Sequence, residues 1–197
     1  MTAPFREPKR AIIIPGNGLD EDDNMNEVMW YGWAAKHLAK EFRLSVPLKT
    51  FPDPLYAHEE IWKAFAKDEL DLDENTIIIG HSSGAACALR LMEEVRSAGC
   101  ILVSGYDSDL GDDLERESGY FNRPFNYEKM RENTPWIIQF HAENDHLVPV
   151  DAARKVAKSL EKVKYVEHKK SGHFQFDTAE WLIDELRETL AKARSEQ

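Results

Sequence analysis

Cysteine is scarce in this sequence, and long apolar runs are missing from it. Cys87 and Cys100 are the only cysteines among 197 residues, and each lies in an apolar segment, which predicts two buried thiols rather than a disulfide. No apolar run approaches membrane-spanning length, and residues 1–10 lack the apolar core of a signal peptide. These absences together predict a cytoplasmic protein.

Basic residues are also in the minority. The chain has 25 Lys and Arg residues against 36 Asp and Glu residues, a net charge of −11, and no basic stripe offsets this excess locally. Such a charge repels phosphate backbones and anionic membrane surfaces. We therefore expect neither nucleic acid nor a membrane as a partner.

Strand-like and helix-like segments alternate along the chain. Asp53-Pro54 predicts the start of one of the helices. Apolar runs predict strands at residues 11–14, 76–79, 100–103, 136–140 and 163–167, with a poorer, proline-containing edge strand at 45–49. The pattern is typical of a three-layer α/β fold with a mostly parallel six-stranded sheet flanked by helices. It fills a single domain, 10–197, after a flexible lead-in at 1–9, and the long segment 105–127 is a candidate lid or pocket loop.

The strongest motif follows the strand at 76–79. Gly80-His81-Ser82-Ser83-Gly84 comes directly after three isoleucines and before a run of small residues that begins a helix. A Gly-x-Ser-x-Gly turn between a strand and a helix is the setting of the nucleophile in serine hydrolases. The helix directs its free N–H groups at the turn, which favours developing negative charge there. Ser82 is therefore the predicted nucleophile.

A serine hydroxyl needs a base, and the base needs a group that orients it. Of the seven histidines, His173 lies beyond the last predicted strand and just before the closing helix, so it is the predicted base. Asp145 follows the preceding strand and is the predicted orienting acid, with Glu143 as its nearest rival. We expect four aspartates of the 105–127 segment to be solvated loop charges; they are Asp107, Asp109, Asp112 and Asp113.

An acyl-transfer site also needs two hydrogen-bond donors for the oxyanion. The backbone N–H of Ser83, the residue after the nucleophile, is the first predicted donor. The second is the backbone N–H of Asn17, in the Pro-Gly-Asn-Gly loop that follows the first strand.

Five aromatic residues are candidates for the wall of a substrate pocket. They are Trp30, Trp33, Tyr120, Phe121 and Phe174. No cofactor and no metal are expected. Glu21 occupies the place of the third glycine in a dinucleotide-binding motif, and the acidic run from Asp20 has Met25 where a calcium loop needs glycine.

Several stretches together resemble one known family. They are Pro-Gly-Asn-Gly at 15–18, Trp-Tyr-Gly-Trp at 30–33, Phe-Pro-Asp-Pro at 51–54, Ile-Gly-His-Ser-Ser-Gly at 79–84, Ser-Asp-Leu-Gly at 108–111, Ser-Gly-Tyr-Phe at 118–121 with Arg-Pro at 123–124, and Gly-His-Phe at 172–174. The chain resembles the retinoblastoma-binding protein 9 family, small serine hydrolases of the α/β-hydrolase superfamily. The resemblance implies a short α/β-hydrolase fold without the two leading antiparallel strands of larger members. It also implies a triad of Ser82, Asp145 and His173.

The sequence departs from that family at two places. The acidic segment 19–28 is longer than the family's glycine-rich loop. Leu70-Asp71-Leu72-Asp73-Glu74 stands where the family has Leu-x-Cys-x-Glu, so binding to a retinoblastoma pocket is not expected.

The motif and the resemblance together predict a serine hydrolase of the carboxylesterase or amidase type. Its expected substrates are small esters or amides, aminoacyl compounds and short peptides among them, cleaved through an acyl-enzyme on Ser82. The negative charge and the aromatic residues favour neutral or cationic substrates with an apolar or aromatic side chain. A monomer is favoured. The alternative is a protein-binding module of low activity on the same fold, because a fold does not determine a function.

Overall fold

The computed structural model describes residues 3–196, in which five strands and seven helices alternate. The strands are β1 (Arg10–Ile14), β2 (Thr76–His81), β3 (Gly99–Val103), β4 (Ile137–Ala142) and β5 (Lys164–His168). The helices are α1 (Tyr31–Phe42), α2 (Glu59–Asp68), α3 (Ser83–Glu94), α4 (Asp113–Ser118), α5 (Tyr127–Asn133), α6 (Val150–Leu160) and α7 (Glu180–Ser195).

The sheet is parallel throughout and has the strand order β1-β2-β3-β4-β5. The prediction of a sixth strand at 45–49 is wrong. In the described chain only Ser45 of that segment pairs with the sheet, as a single bridge to Arg10. The Ser45 N–H donates to the Lys9 carbonyl at 3.0 Å, and the Ser45 carbonyl accepts from Ala11 at 2.9 Å. The ladder stops there, since Pro47 has no N–H with which to continue it.

Helices cover both faces of the sheet. In β1, Ile13 packs with α1 and α7 on one face, whereas Ile12 and Ile14 pack with α2, α3, α5 and α6 on the other. A strand with both faces covered has no polar side, which explains the uninterrupted isoleucine runs of β1 and β2. The expected three-layer arrangement is confirmed.

The chain before β1 runs without regular structure along the domain. The Ala3 N–H donates to the Arg131 carbonyl at 3.2 Å, and Glu7 forms an ion pair with Arg194 on α7. Residues 3–9 thus lie against the body of the protein.

The helix predicted to start at Asp53 begins instead at Glu59. Asp53 has a positive φ of 53°, and its side chain accepts a hydrogen bond from the His58 N–H at 3.0 Å. Its carboxylate therefore closes a turn ahead of α2 rather than capping a helix at its own position.

The segment 70–74 is bound to the domain at both of its ends. Leu70 is fully buried, and Arg10 donates to the carbonyls of Leu70 and Asp71 at 3.1 and 2.6 Å. The Asp73 carboxylate accepts from the Thr76 hydroxyl at 2.7 Å, where β2 begins.

Both cysteines are free and buried, as expected. Burial raises the pKa of the Cys87 thiol to about 12. Among residues 3–196, no helix combines the length and the apolar character needed to cross a bilayer.

Candidate active site

Ser82 occupies the sharp turn between β2 and α3. Its φ of 56° and ψ of −122° lie in a region that residues other than glycine rarely adopt, so the turn is strained. The flanking glycines make the turn possible: a Cβ on Gly80 would lie 2.3 Å from the Gly84 carbonyl oxygen, and one on Gly84 would lie 2.2 Å from the Ile14 carbonyl oxygen. The Gly-x-Ser-x-Gly spacing therefore serves close packing of α3 on β1 and β2.

His173 and Asp145 are in direct contact. His173 Nδ1 lies 2.9 Å from Asp145 Oδ2 and 3.0 Å from Oδ1, and both side chains are almost completely buried. An ionised carboxylate can only accept, so Nδ1 carries the proton and Nε2 is left with a free lone pair. The ring of His173 also lies 5.0 Å, centroid to centroid, from the ring of His81, which immediately precedes Ser82.

The Asp145 carboxylate is held ionised by its neighbours. Burial raises the pKa of this carboxyl. Hydrogen bonds from His173 and from the backbone N–H groups of Val148 and Leu147 lower it by more, so that the pKa lies well below its usual range. The Ser104 hydroxyl donates to Oδ2 at 2.8 Å. Glu143, the rival acid, has no place in this cluster, since it is exposed beyond the end of β4.

A buried network joins the loop after β1 to the loop that carries His173. We call it the His81 network; it consists of the Gly16 N–H, the Tyr31 hydroxyl, the His81 ring and the His173 carbonyl. The Gly16 N–H donates to Tyr31 Oη at 3.2 Å, Tyr31 Oη lies 2.7 Å from His81 Nδ1, and His81 Nε2 lies 2.9 Å from the His173 carbonyl oxygen.

Only one assignment of protons satisfies every member of the His81 network. The His173 carbonyl accepts, so His81 Nε2 carries the proton and Nδ1 accepts from the Tyr31 hydroxyl. Burial, helped by the nearby His173, lowers the pKa of His81 to about 3 and keeps the ring neutral.

The two predicted oxyanion donors lie where the chain leaves them available. Ser83 is the first residue of α3, where a helix N–H has no partner inside the helix. In the loop after β1, the Gly16 N–H is engaged by Tyr31 and the Gly18 N–H donates to the Pro54 carbonyl at 2.8 Å. Among residues 3–196 the Asn17 N–H has no hydrogen-bond acceptor, and Asn17 and Ser82 line the same cavity.

A second network includes Ser83, the residue that follows Ser82, and its acceptor is Glu115 on α4. We call it the Glu115 network; it consists of Glu115 and the side chains of Ser83, Asn17 and Tyr106. Glu115 Oε1 accepts from Ser83 Oγ at 2.7 Å and from Asn17 Nδ2 at 3.3 Å. Ser83 Oγ uses its proton on Glu115, so it accepts from the Tyr106 hydroxyl, 3.1 Å away. Burial raises the pKa of the Glu115 carboxyl, against the hydrogen bond from Ser83.

A cavity of about 440 Å³ opens at Ser82. Its walls come from the loops that follow β1, β2, β3 and β4, the four strands whose carboxyl ends meet at this edge of the sheet. The lining residues are Asn17, Ser82, Tyr106, Leu110, Gly111, Asp112, Leu114, Glu115, Leu147 and Val148. Four of the ten are leucine or valine, so the cavity joins an aliphatic wall to the polar groups around Ser82.

The five aromatic residues predicted for the pocket lie elsewhere, because each is packed against other rings. Trp30, Tyr120 and Phe174 are fully buried in the core, and Trp30 and Phe174 both pack on Trp181 of α7. Trp33 stacks on His37 within α1. Phe121 stacks on Tyr106, with the ring centroids 5.6 Å apart, and so supports the cavity wall from behind.

The 105–127 segment is divided in its role. Its first half supplies the cavity wall from Tyr106 to Glu115, whereas its second half is bound to α3 by Arg90. The buried Arg90 guanidinium donates to the carbonyls of Tyr120, Arg123 and Pro124 and lies 3.6 Å from the centre of the Phe125 ring. Asp107 is not the solvated charge expected from the sequence, because it is buried and pairs with Lys155 at 3.0 Å.

Sequence reasoning missed three polar residues of this region. Ser104, Tyr106 and Glu115 each bond a residue of the predicted site, yet nothing in their local sequence marks them. Among residues 3–196, no cluster of three or more His, Cys, Asp or Glu side chains is arranged to hold a metal ion.

Comparison with known proteins places this arrangement in a family. A family model described as serine hydrolase matches residues 11–191. Serine hydrolase RBBP9 of Rattus norvegicus is 42% identical over 186 residues, which cover 94% of this chain and 98% of that protein. The putative hydrolase YdeN of Bacillus subtilis (strain 168) is 26% identical over 175 residues, or 86% of this chain and 87% of that protein.

Solved structures show the same fold. The crystal structure of the ydeN gene product from B. subtilis superposes with a TM-score of 0.79 at 23% identity, covering 93% of this chain and 99% of that one. Est1E from Butyrivibrio proteoclasticus superposes with a TM-score of 0.68 at 14% identity, covering 96% and 89%. The chain therefore has an α/β-hydrolase fold and belongs to the RBBP9-like family of small serine hydrolases.

Proposed function

We propose that this hydrolase cleaves small esters or amides through an acyl-enzyme on Ser82, with His173 as the base and Asp145 as the group that orients it. His173 Nε2 takes the Ser82 proton while Ser82 Oγ bonds to the acyl carbon. The proton then passes to the departing alcohol or amine, and the scissile bond breaks. Water then attacks the acyl carbon while His173 Nε2 takes its proton; the bond to Ser82 Oγ breaks, Oγ regains a proton from His173, and the carboxylic acid leaves.

Asp145 supports this assignment because its low pKa keeps it ionised opposite the imidazolium that forms in the transition state. The carboxylate also fixes the tautomer, since Nδ1 donates to it and Nε2 is left to accept. Asn144 ties the two loops together, as its side-chain carbonyl accepts from the Gly172 N–H at 2.9 Å. No hydrogen bond joins Ser82 Oγ to His173 in residues 3–196, so the two groups have to come into contact when substrate binds.

The observation that carries the proposal is the strained backbone of Ser82. A positive φ at a residue other than glycine costs on the order of 1–3 kcal/mol and persists where the surrounding structure enforces it. Here the strain turns Ser82 into the cavity and leaves the N–H of Ser83 at the first turn of α3, the two requirements of acyl transfer at an elbow.

The cavity supports small substrates. Its volume of about 440 Å³ lies at the lower end of the range for small-molecule sites. Leu110, Leu114, Leu147 and Val148 form the apolar part of the wall, which suits an apolar acyl group. The net charge of −11 disfavours anionic substrates, so neutral or cationic esters and amides are the proposed class.

A fluorophosphonate probe tests the nucleophile. The wild-type protein should be labelled, and Ser82→Ala should lose both labelling and hydrolysis of p-nitrophenyl acetate while its circular dichroism stays unchanged. Ser159→Ala on α6, far from the cavity, is the matched control and should be labelled as the wild type is. Labelling that persists in Ser82→Ala would refute the proposal.

A further inference from the structure

Glu115 is buried although the short helix that carries it lies at the surface. Only 8% of the residue is exposed, whereas Asp113, Arg116 and Glu117 of the same six-residue helix are exposed. Both ends of this helix are fixed by local interactions. Asp112 caps its start by accepting from the N–H groups of Leu114 and Glu115, and Gly119 ends it with a φ of 92°.

The buried carboxylate touches both residues that carry the oxyanion donors. A single oxygen, Oε1, accepts from the side chain of Ser83 at 2.7 Å and from the side chain of Asn17 at 3.3 Å. Ser83 begins α3 and Asn17 lies in the loop after β1, so Glu115 spans the two elements between which the oxyanion has to form. The backbone N–H groups of Ser83 and Asn17 stay free for the oxyanion, because only the side chains bind the carboxylate.

We propose that Glu115 is a positioning residue of the hydrolytic reaction, which holds Ser83 and Asn17 so that their backbone N–H groups point to one oxyanion site. The inference rests on the function proposed above. Oxyanion stabilisation depends on donors fixed in advance at the right distance, and a displaced donor loses much of its value. Hydrogen bonds to a carboxylate are stronger than those between neutral groups, which suits Glu115 to this task.

The other oxygen of the carboxylate distinguishes this role from substrate binding and from simple stabilisation. Oε2 is buried and has no hydrogen-bond partner in the described chain. It is shielded from solvent, so a substrate group does not reach it without displacing protein atoms. An unpartnered buried oxygen is also a cost to folding. Against this cost, Glu115 fixes the positions of Ser83 and Asn17 through Oε1.

Steady-state hydrolysis of p-nitrophenyl acetate by four proteins tests the proposal. Glu115→Ala should lower kcat about 10- to 100-fold with little change in KM, less than the loss reported for removing a whole oxyanion donor. Glu115→Gln keeps an oxygen at Oε1 and should retain kcat within roughly threefold. Glu117→Ala removes the same charge from the exposed side of the same helix and should match the wild type.

A mutant cycle between Glu115 and Ser83 separates positioning from general destabilisation. Ser83→Ala removes the hydroxyl and keeps the backbone N–H, and alone it should lower kcat about tenfold. In the Glu115→Ala background it should have almost no further effect, because the link it removes is already lost. If Glu115→Ala does not fold, the loss in Ser83→Ala and the retention in Glu115→Gln decide the question.

Three outcomes would overturn the inference. They are an unchanged kcat in Glu115→Ala, an equal loss in Glu115→Gln and Glu115→Ala, and strictly additive effects of Glu115→Ala and Ser83→Ala. Ser82→Ala is measured in parallel. Turnover that persists in Ser82→Ala overturns the proposed function and this inference with it, whereas loss in Ser82→Ala beside an unchanged Glu115→Ala overturns this inference alone.

Discussion

The His81 network and the Glu115 network flank the same serine, and they are built in opposite ways. In the His81 network a neutral ring both donates and accepts, and each donor, from the Gly16 N–H to His81 Nε2, has an acceptor. In the Glu115 network a carboxylate only accepts: two donors converge on its Oε1, and Oε2 has no partner among residues 3–196.

This difference suggests different roles for the two networks: the His81 network stabilises the fold, and the Glu115 network positions the residues that it binds. A fully matched, uncharged network stabilises the fold, because no buried polar group is left without a partner. A buried carboxylate with a free oxygen stabilises little and fixes the position of what it binds. The two networks also respond to acid in opposite senses, since burial lowers the pKa of His81 to about 3 and raises that of Glu115.

The largest expected effect is on kcat. His173, whose carbonyl is the last member of the His81 network, binds Asp145 through its ring. Asp145→Asn keeps the size of the side chain but can donate to Nδ1 and so favours the wrong tautomer of His173. By analogy with the same change in the serine protease that the triad is known from, kcat should fall on the order of 10⁴-fold.

Glu143→Gln is the matched control, because Glu143 lies on the same loop and is exposed. It should leave both kcat and the urea midpoint unchanged, whereas Asp145→Asn should also lower the urea midpoint, because the buried carboxylate loses charge-assisted hydrogen bonds that hold it in the fold. A larger loss in Glu143→Gln than in Asp145→Asn would move the orienting role to Glu143.

Removing one hydroxyl from the His81 network should destabilise the protein strongly. Tyr31→Phe leaves His81 Nδ1 without a donor in the core, and it leaves the partly buried Gly16 N–H without its acceptor. Groups left unpaired in this way cost about 1–3 kcal/mol each, so the free energy of unfolding should fall by about 2–4 kcal/mol.

Urea unfolding measures this change as a lower midpoint at an unchanged slope. Tyr165→Phe is the control, because its hydroxyl binds Glu167 at the sheet edge and is only partly buried. The control should lose less than about 1 kcal/mol. Equal losses in the two variants would mean that the His81 network has no special weight in stability.

Acid should weaken the protein through His81. Burial lowers the pKa of His81 to about 3 in the folded state from its ordinary value of 6.5, so below pH 6.5 the unfolded chain binds a proton that the folded chain does not. Stability is therefore present in full above pH 6.5 and is lost as the pH falls toward 3. At about 1.4 kcal/mol per pH unit, the loss between pH 6.5 and pH 5 is on the order of 2 kcal/mol.

His81→Asn isolates that contribution. His81 faces Tyr31, His173 and Asp145, and these groups remain in the variant. Urea midpoints at pH 7 and pH 5 should differ less in His81→Asn than in the wild type, by an amount on the order of 2 kcal/mol in free energy. Parallel pH dependence in the two proteins would contradict the assignment.

The fold could be predicted from the sequence because the strands are marked by uninterrupted apolar runs. Isoleucine runs such as those of β1 and β2 need burial on both faces, and a parallel sheet supplies it. The same logic brought His173 and Asp145 together in prediction, since each follows a strand and the carboxyl ends of parallel strands meet at one edge. Their side chains are hydrogen-bonded in the structure.

The residues that sequence reasoning missed depend on contacts between distant segments. Glu115 lies on a six-residue helix, too short for a periodic pattern to indicate which face is buried. Trp30 was expected in a pocket, yet it is in the core because Trp181, far along the chain, packs against it. Local sequence contains neither the partner of Glu115 nor that of Trp30.

The smallest expected effect is on the pH dependence of stability through Glu115. Its sign is opposite to that of the effect of His81, so it tests the contrast between the two networks. Burial raises the pKa of the Glu115 carboxyl above its ordinary value of 4.5 in the folded state, where the carboxyl faces Asp112, Tyr106, Ser83 and Asn17. Above the folded pKa the buried charge counts against folding in full; as the pH falls through the folded pKa toward 4.5, that cost disappears. Glu115→Gln should therefore be more stable than the wild type at neutral pH, and this advantage should disappear as the pH falls toward 4.5. Urea midpoints over that pH range measure the difference, and Glu117→Gln, exposed on the same helix, should follow the wild type at every pH. A stability gain in Glu115→Gln that grows as the pH falls would mean that the fold lowers the pKa of this carboxyl, and the contrast between the two networks would fail.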